Sequence, residues 1–254
     1  MQIALLFIFV VLLIGIAVTF IKVRKVHIIV LEMRDVVSAT QKEVASAYTQ
    51  ERWHELLSHR LALHKPLPPT RGWAGSPDFL FEVAKCVAND KPKVVLECSS
   101  GVSTLVIARV MQQSGVGHVY SLEHDAQYAE RSRQMLRDYG VEDWATVLHA
   151  PLIPRPGLSP WYDHSVLPAE VPLVDLLVID GPPMATARLA RYPALPLLKP
   201  RLQAAFTILV DDADREDEQE MLRRWQREVD GLHVEHRYCE KGLAVVQPIG
   251  KLSP

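Results

Sequence analysis

The stretch Val94-Val-Leu-Glu-Cys-Ser-Ser-Gly-Val-Ser-Thr104 decides how this chain folds. A short apolar run stops at an acidic residue. Small residues then crowd round one glycine before the next apolar run begins. That is the outline of a strand ending in a ligand-binding turn that opens a helix. In open α/β sheets, ligands sit beyond the carboxyl ends of the strands, where the strand order reverses. A G-x-G-x-x-G turn lets a pyrophosphate approach a helix N-terminus. Here the three slots hold Ser99, Gly101 and Thr104. Glu97 places a carboxylate where it would repel a phosphate, so the turn disfavours NAD, FAD and ATP.

Outward from this turn the sequence alternates between short Val/Leu/Ile runs and helix-forming segments. Ser76 is a candidate N-cap for a helix through Val87. Strands are expected at Val94–Leu96, His118–Leu122, Ala145–Leu148, Val174–Ile179 and Phe206–Val210. Helices are expected near Val102–Gln113, Ala126–Tyr139, Thr186–Leu198 and Arg215–Val229. A Pro-rich loop is expected over Pro151–Pro172. Two final strands, Leu232–Arg237 and Leu243–Gln247, meet at a turn containing Gly242. Strands this short and apolar belong in a sheet covered by helices on both faces. The expected fold is therefore α/β, a Rossmann-like doubly wound sheet with an antiparallel strand near one edge.

The second strand also ends on an acid, Glu123, which stands 22 positions after Gly101 (123 − 101). That is near the spacing at which a carboxylate meets a ribose hydroxyl pair. A carboxylate at Glu97 suits an ammonium or a sulfonium, and the serine hydroxyls and backbone N–H groups suit a carboxylate. S-adenosylmethionine carries all of these groups and a ribose.

Four motifs in order support that ligand: Glu-Cys-Ser-Ser-Gly-Val-Ser-Thr, Tyr-Ser-Leu-Glu-His-Asp, Leu-Val-Ile-Asp-Gly-Pro-Pro and Leu-Val-Asp-Asp-Ala-Asp. Together they resemble the class I S-adenosylmethionine-dependent methyltransferases, and most of all the small-molecule and sugar O-methyltransferase-like group with GSGxST and DGPP motifs. The resemblance covers about Arg71 to Pro248. It implies strand order 3-2-1-4-5-7-6 with strand 7 antiparallel. It also implies that Glu97, Ser99 and Gly101 line the methionine side, that Glu123 holds the ribose with His124 beside it, and that His149-Ala150 flanks the adenine. The segment Arg71–Pro77 would lie over the amino-acid end of the cofactor, which makes Trp73 and Ser76 candidates. Ser99 departs from the family's first glycine, and Cys98 from its usual residue after the glutamate. A serine preserves such a turn unless φ must be positive.

Asp180, Asp211 and Asp212 end the fourth and fifth strands. Such a carboxylate cluster is a donor set for a hard cation such as Mg²⁺, which would lower the pKa of an acceptor hydroxyl. Without a metal, Asp180 is the candidate general base. The bland alternatives are an aspartate starting a Gly-Pro-Pro turn and a helix cap at Asp212 or Asp214. Trp161-Tyr162-Asp163-His164 is a candidate wall for the acceptor or adenine.

The N-terminus differs in kind. Met1 to Ile21 holds no charged residue. It spans roughly 30 Å as a helix, about the thickness of a bilayer's apolar core. Lys22, Arg24 and Lys25 follow at once, which orients what comes after them to the cytoplasm. Residues 22–70 read as a juxtamembrane helix and a Pro-rich linker, and 71–254 as the methyltransferase domain. Ile29, Met33, Val36, Val37, Val44, Ala47 and Tyr48 recur at roughly helical spacing. Their spacing leaves open a stalk, a coiled coil that would pair two copies, and a helix packed on the domain. Net charge is −2, so no basic excess points to nucleic acid. Cys86, Cys98 and Cys239 form neither a disulfide framework nor a zinc site.

The leading expectation is thus a single-pass membrane protein with a cytoplasmic methyltransferase domain acting on a small-molecule, glycan or lipid-linked acceptor. A non-catalytic, membrane-tethered cofactor-binding or assembly module is the alternative. An NAD or nucleotide-sugar enzyme on a similar sheet is the third.

Overall fold

In chain order the chain carries α1 (Gln2–Leu61), α2 (Pro77–Asp90), β1 (Val94–Cys98), α3 (Val102–Ser114), β2 (His118–Glu123), α4 (Ala126–Tyr139), β3 (Ala145–His149), β4 (Leu152–Arg155), β5 (Leu158–Tyr162), β6 (Val174–Ile179), α5 (Ala194–Leu198), β7 (Leu202–Asp211), α6 (Glu216–Glu228), β8 (Leu232–Arg237) and β9 (Leu243–Pro248). These come from a computed structural model in which residues 2–72 and 74–251 are described. Contacts divide the chain into two units, Met1–Thr49 and Gln50–Pro254. The first is the greater part of α1, a helix long and apolar enough to cross a membrane by length and composition.

In the second unit, seven strands form one sheet in the order β3-β2-β1-β6-β7-β9-β8. Counting the sheet strands alone, this is 3-2-1-4-5-7-6. β1 is buried along its whole length, because parallel neighbours flank it and helices cover both faces. Val95 stands opposite Val119 of β2 and Leu176 of β6. Alternate side chains point to opposite faces. Val95 accordingly packs with Leu80, Val83 and Leu105 beneath α2 and α3. Leu96 packs with Trp161, Leu195 and Trp225 on the other face. β9 runs antiparallel between β7 and β8. The strand order reverses between β1 and β6, so the switch point lies at the carboxyl ends of these two strands.

Two elements differ from the sequence expectation. The Pro-rich loop contains an antiparallel hairpin of β4 and β5, closed by Pro156 and Gly157 with φ of +72° at the glycine. Trp161 and Tyr162 gain full burial from it. The helix expected from Thr186 shrinks to Ala194–Leu198. Leu189 takes a positive φ of 53° and Pro193 immediately precedes the helix, so regular i to i−4 bonding cannot start earlier.

Candidate active site

The turn after β1 is held from below. Thr104 Oγ1 accepts the Gly101 N–H at 3.1 Å and donates to Glu97 Oε2 at 2.5 Å. Ser121 Oγ donates to the same oxygen at 2.6 Å. Glu97 is fully buried and braces the turn. Burial raises its carboxyl pKa, and the hydroxyl donors offset part of that rise. Gly101 has φ of 138°, a conformation that only glycine takes readily. Ser99 has φ of 126°, so the serine occupies a glycine conformation.

Glu123 ends β2 at the neighbouring position. Its Oε2 accepts Ser100 Oγ at 2.9 Å, and its Oε1 accepts the Asp125 N–H at 3.0 Å. His124 Nδ1 lies 3.0 Å from Oε1. Burial pushes this carboxyl up, but the bonds from His124, Asp125 and Ser100 outweigh it and hold it below the usual range. The result is a fixed, ionised acceptor at the carboxyl end of β2. Asp125 caps α4 through the N–H groups of Gln127 and Tyr128.

Asp180, Asp211 and Asp212 converge, with ligand oxygens within 4.8 Å of one another. The cation among them is Arg191, which the sequence analysis did not single out. Its guanidinium is 2.7 Å from Asp212 Oδ2 and 3.6 Å from Asp180 Oδ1. It also donates to the Asp211 carbonyl at 2.9 Å. Arg215 is 2.8 Å from Asp212 Oδ2. Both carboxylate oxygens of Asp211 are buried with no hydrogen-bond partner among the described residues. Burial, with Asp180 and Asp212 beside it, pushes the Asp211 carboxyl well above the usual range. Burial also raises Asp180 to about 6, against the pull of Arg191.

A cavity of about 710 Å³ joins these features. Ser99, Gly101, Glu123, His124, Asp180 and Asp212 all line it. So do Gly72 and Gly75 from the segment before α2, Tyr162 from β5, and Arg191, Arg215 and Lys241. The structure therefore brings six of the candidate residues to one space. Glu97, Asp211, Ser76 and Ala150 are buried outside its lining. Ser76 precedes α2 without a side-chain cap bond. Ala150 donates its N–H to the Glu123 carbonyl at 2.7 Å. Trp73 lies outside the described residues.

Tyr162 is fully buried and lines the cavity, and its hydroxyl has no hydrogen-bond partner among the described residues. Gly181 makes room for it, since a Cβ there would collide with Tyr162 Oη. Lys241 Nζ donates to the Gly72 carbonyl at 3.1 Å, tying the turn before β9 to the segment over the cavity. Arg191 was invisible earlier because its neighbours Leu189, Ala190 and Tyr192 are apolar and give no sign of which way a charge would point. An arginine inside such a run, eleven positions after Asp180 (191 − 180), was the only signal.

Comparison with known proteins agrees with this geometry. Residues 96–213 match a family model described as a methyltransferase domain. No curated protein matches the chain. Among solved structures, the SAH-bound methyltransferase PaMTH1 of Podospora anserina aligns with TM-score 0.57 and 15% identity, over 82% of this chain and 95% of its own. An O-methyltransferase from Bacillus cereus in complex with SAH aligns with TM-score 0.56 and 15% identity, over 81% and 97%. A methyltransferase from Geobacter sulfurreducens aligns with TM-score 0.52 and 13% identity, over 79% and 89%. The solved structures share the fold of the second unit. The family match spans that sheet from β1 to the end of β7.

Proposed function

We propose that this chain is a membrane-anchored O-methyltransferase that uses S-adenosylmethionine. Its acceptor is a small molecule, a glycan or a lipid-linked compound. The observation that carries this reading is one cavity, at the switch point, with a fixed carboxylate at its ribose end and a carboxylate of raised pKa at the other.

When bound, S-adenosylmethionine supplies a methyl group on a positively charged sulfur. Glu123, kept ionised by three donors, accepts hydrogen bonds from the ribose hydroxyls. Ser99 and the Gly101 turn receive the methionine end, with Lys241 close by to offset its carboxylate. Asp180 would take the proton of the acceptor hydroxyl as that oxygen receives the methyl group. A base of pKa about 6 is deprotonated at neutral pH and still basic enough to help. Arg191 orients Asp180 and balances its charge.

Asp180, Asp211 and Asp212 also fit Mg²⁺ in donor type and spacing, and Asp211 has two oxygens free of hydrogen bonds. These residues would hold it, and the ion would lower the pKa of an acceptor hydroxyl. Arg191 and Arg215 compete for the same carboxylates. Activity untouched by EDTA would remove the metal from this reading.

The apolar segment of α1 supports membrane anchoring, and Lys22, Arg24 and Lys25 support a cytoplasmic domain. The helix beyond offers a face for self-association. Calorimetry of the full-length chain in detergent with S-adenosylhomocysteine, NAD and nucleotide sugars tests the central claim. Heat of binding to the first alone is expected. Binding only to NAD would reverse the reading, and binding without methyl transfer to any acceptor would favour the non-catalytic module.

A further inference from the structure

α1 is unbroken from Gln2 to Leu61, so one register runs through both its apolar and its charged parts. In the charged part, Val26, Val30, Met33, Val37, Thr40 and Val44 follow each other at alternating steps of four and three. All six are exposed. Such a 4-3 repeat is a coiled-coil seam, with valines at the three a positions, 30, 37 and 44. β-branched residues at a favour parallel two-stranded pairing. Asp35 and Lys42 fall furthest from the seam, and no charged residue stands on the seam itself.

An independent feature marks the same line. The apolar segment carries a groove around Gly15, lined by Val11, Leu12, Ile16, Thr19, Phe20 and Val23. Of these, Leu12, Ile16, Thr19 and Val23 continue the 4-3 repeat upstream without a break. Thr19 Oγ1 donates to the Gly15 carbonyl at 2.8 Å, which satisfies that hydroxyl within its own helix. Small residues at such notches let two membrane helices approach closely.

The first unit consists of this helix as far as Thr49. An isolated helix draws little stability from propensity, and valine lowers it further. Val30 at 55% and Val44 at 63% exposure need a cover. We infer that two copies of this chain pair in parallel through α1, along one heptad seam from the apolar segment to Ala47. The shared apolar end orients both copies alike. The inference does not depend on the methyltransferase reading.

Cysteine scanning of the full-length chain in native membranes tests it. Val30→Cys, Val37→Cys and Val44→Cys should each give a disulfide-linked dimer on oxidation. Asp35→Cys and Lys42→Cys should stay at the level of the parent, whose three cysteines all lie in the second unit. Equal crosslinking at all five positions, or none above the parent, overturns the proposal. Light scattering in detergent provides a second readout. The parent should have the mass of a dimer and Val30→Asp/Val37→Asp that of a monomer, and a monomeric parent overturns it too. Heat of S-adenosylhomocysteine binding, read on the same samples, reports separately on the enzyme.

Discussion

Ser99 shows what one residue contributes at this site. Its φ of 126° belongs to glycine, and non-glycine residues there carry about 1–3 kcal/mol of strain. Ser99→Gly should therefore stabilise the fold by about 1 kcal/mol, or roughly 2–4 °C in Tm for a domain of this size, as differential scanning calorimetry would show. Ser99→Ala keeps the Cβ and should give no such gain. Asp180 carries a second prediction. Its folded pKa of about 6 lies above the ordinary carboxylate value, so its basic form is lost as pH falls through about 6. Turnover should then drop about tenfold for each further pH unit. Asp180→Asn should cost about 10²–10⁴ in turnover while S-adenosylhomocysteine binding survives. An unchanged pH profile in that variant would exclude Asp180 as the base.

At the scale of elements, the decisive contact joins three segments that are far apart in sequence. Arg191, before α5, reaches the ends of β6 and β7, where Asp180 and Asp212 wait. Removing one partner of a buried ionic network leaves uncompensated charge and costs about 3–5 kcal/mol. Arg191→Met should destabilise the domain by that amount at pH 8 in urea titration. The loss should shrink as pH falls below about 6, because a protonated Asp180 no longer needs the cation. For α1, full-length chain should fractionate with membranes, and a chain lacking residues 2–21 should stay in the supernatant after carbonate extraction. An equal distribution of both would refute the anchor.

For the whole molecule, the sequence made the sheet legible. Val94–Leu96, His118–Leu122 and Val174–Ile179 read as strands because residues buried on both faces must all be apolar, and that pattern is local. The reversed order at the switch point followed from the motifs and their resemblance to methyltransferases, and the strand order agrees with it. Ser99, Gly101, Glu123 and Asp180 could be named from their positions at strand ends. The β4–β5 hairpin was not legible, since its burial comes from Trp161 and Tyr162 packing on a remote layer. The short α5 was not legible either, because apolar spacing there ran on through residues whose backbone turns away.

What the sequence determined by itself was the periodicity of each element, the apolar N-terminal segment, and the residue types at the strand ends. These depend on neighbours a few positions away. Only the tertiary structure decided that Glu97 braces the turn from below while Glu123 faces the cavity, and that Arg191 is the cation among the three aspartates. Those outcomes rest on which face of a strand a side chain takes and which distant segment meets it. Burial and charge pairing set both, and both arise only once the chain has closed on itself.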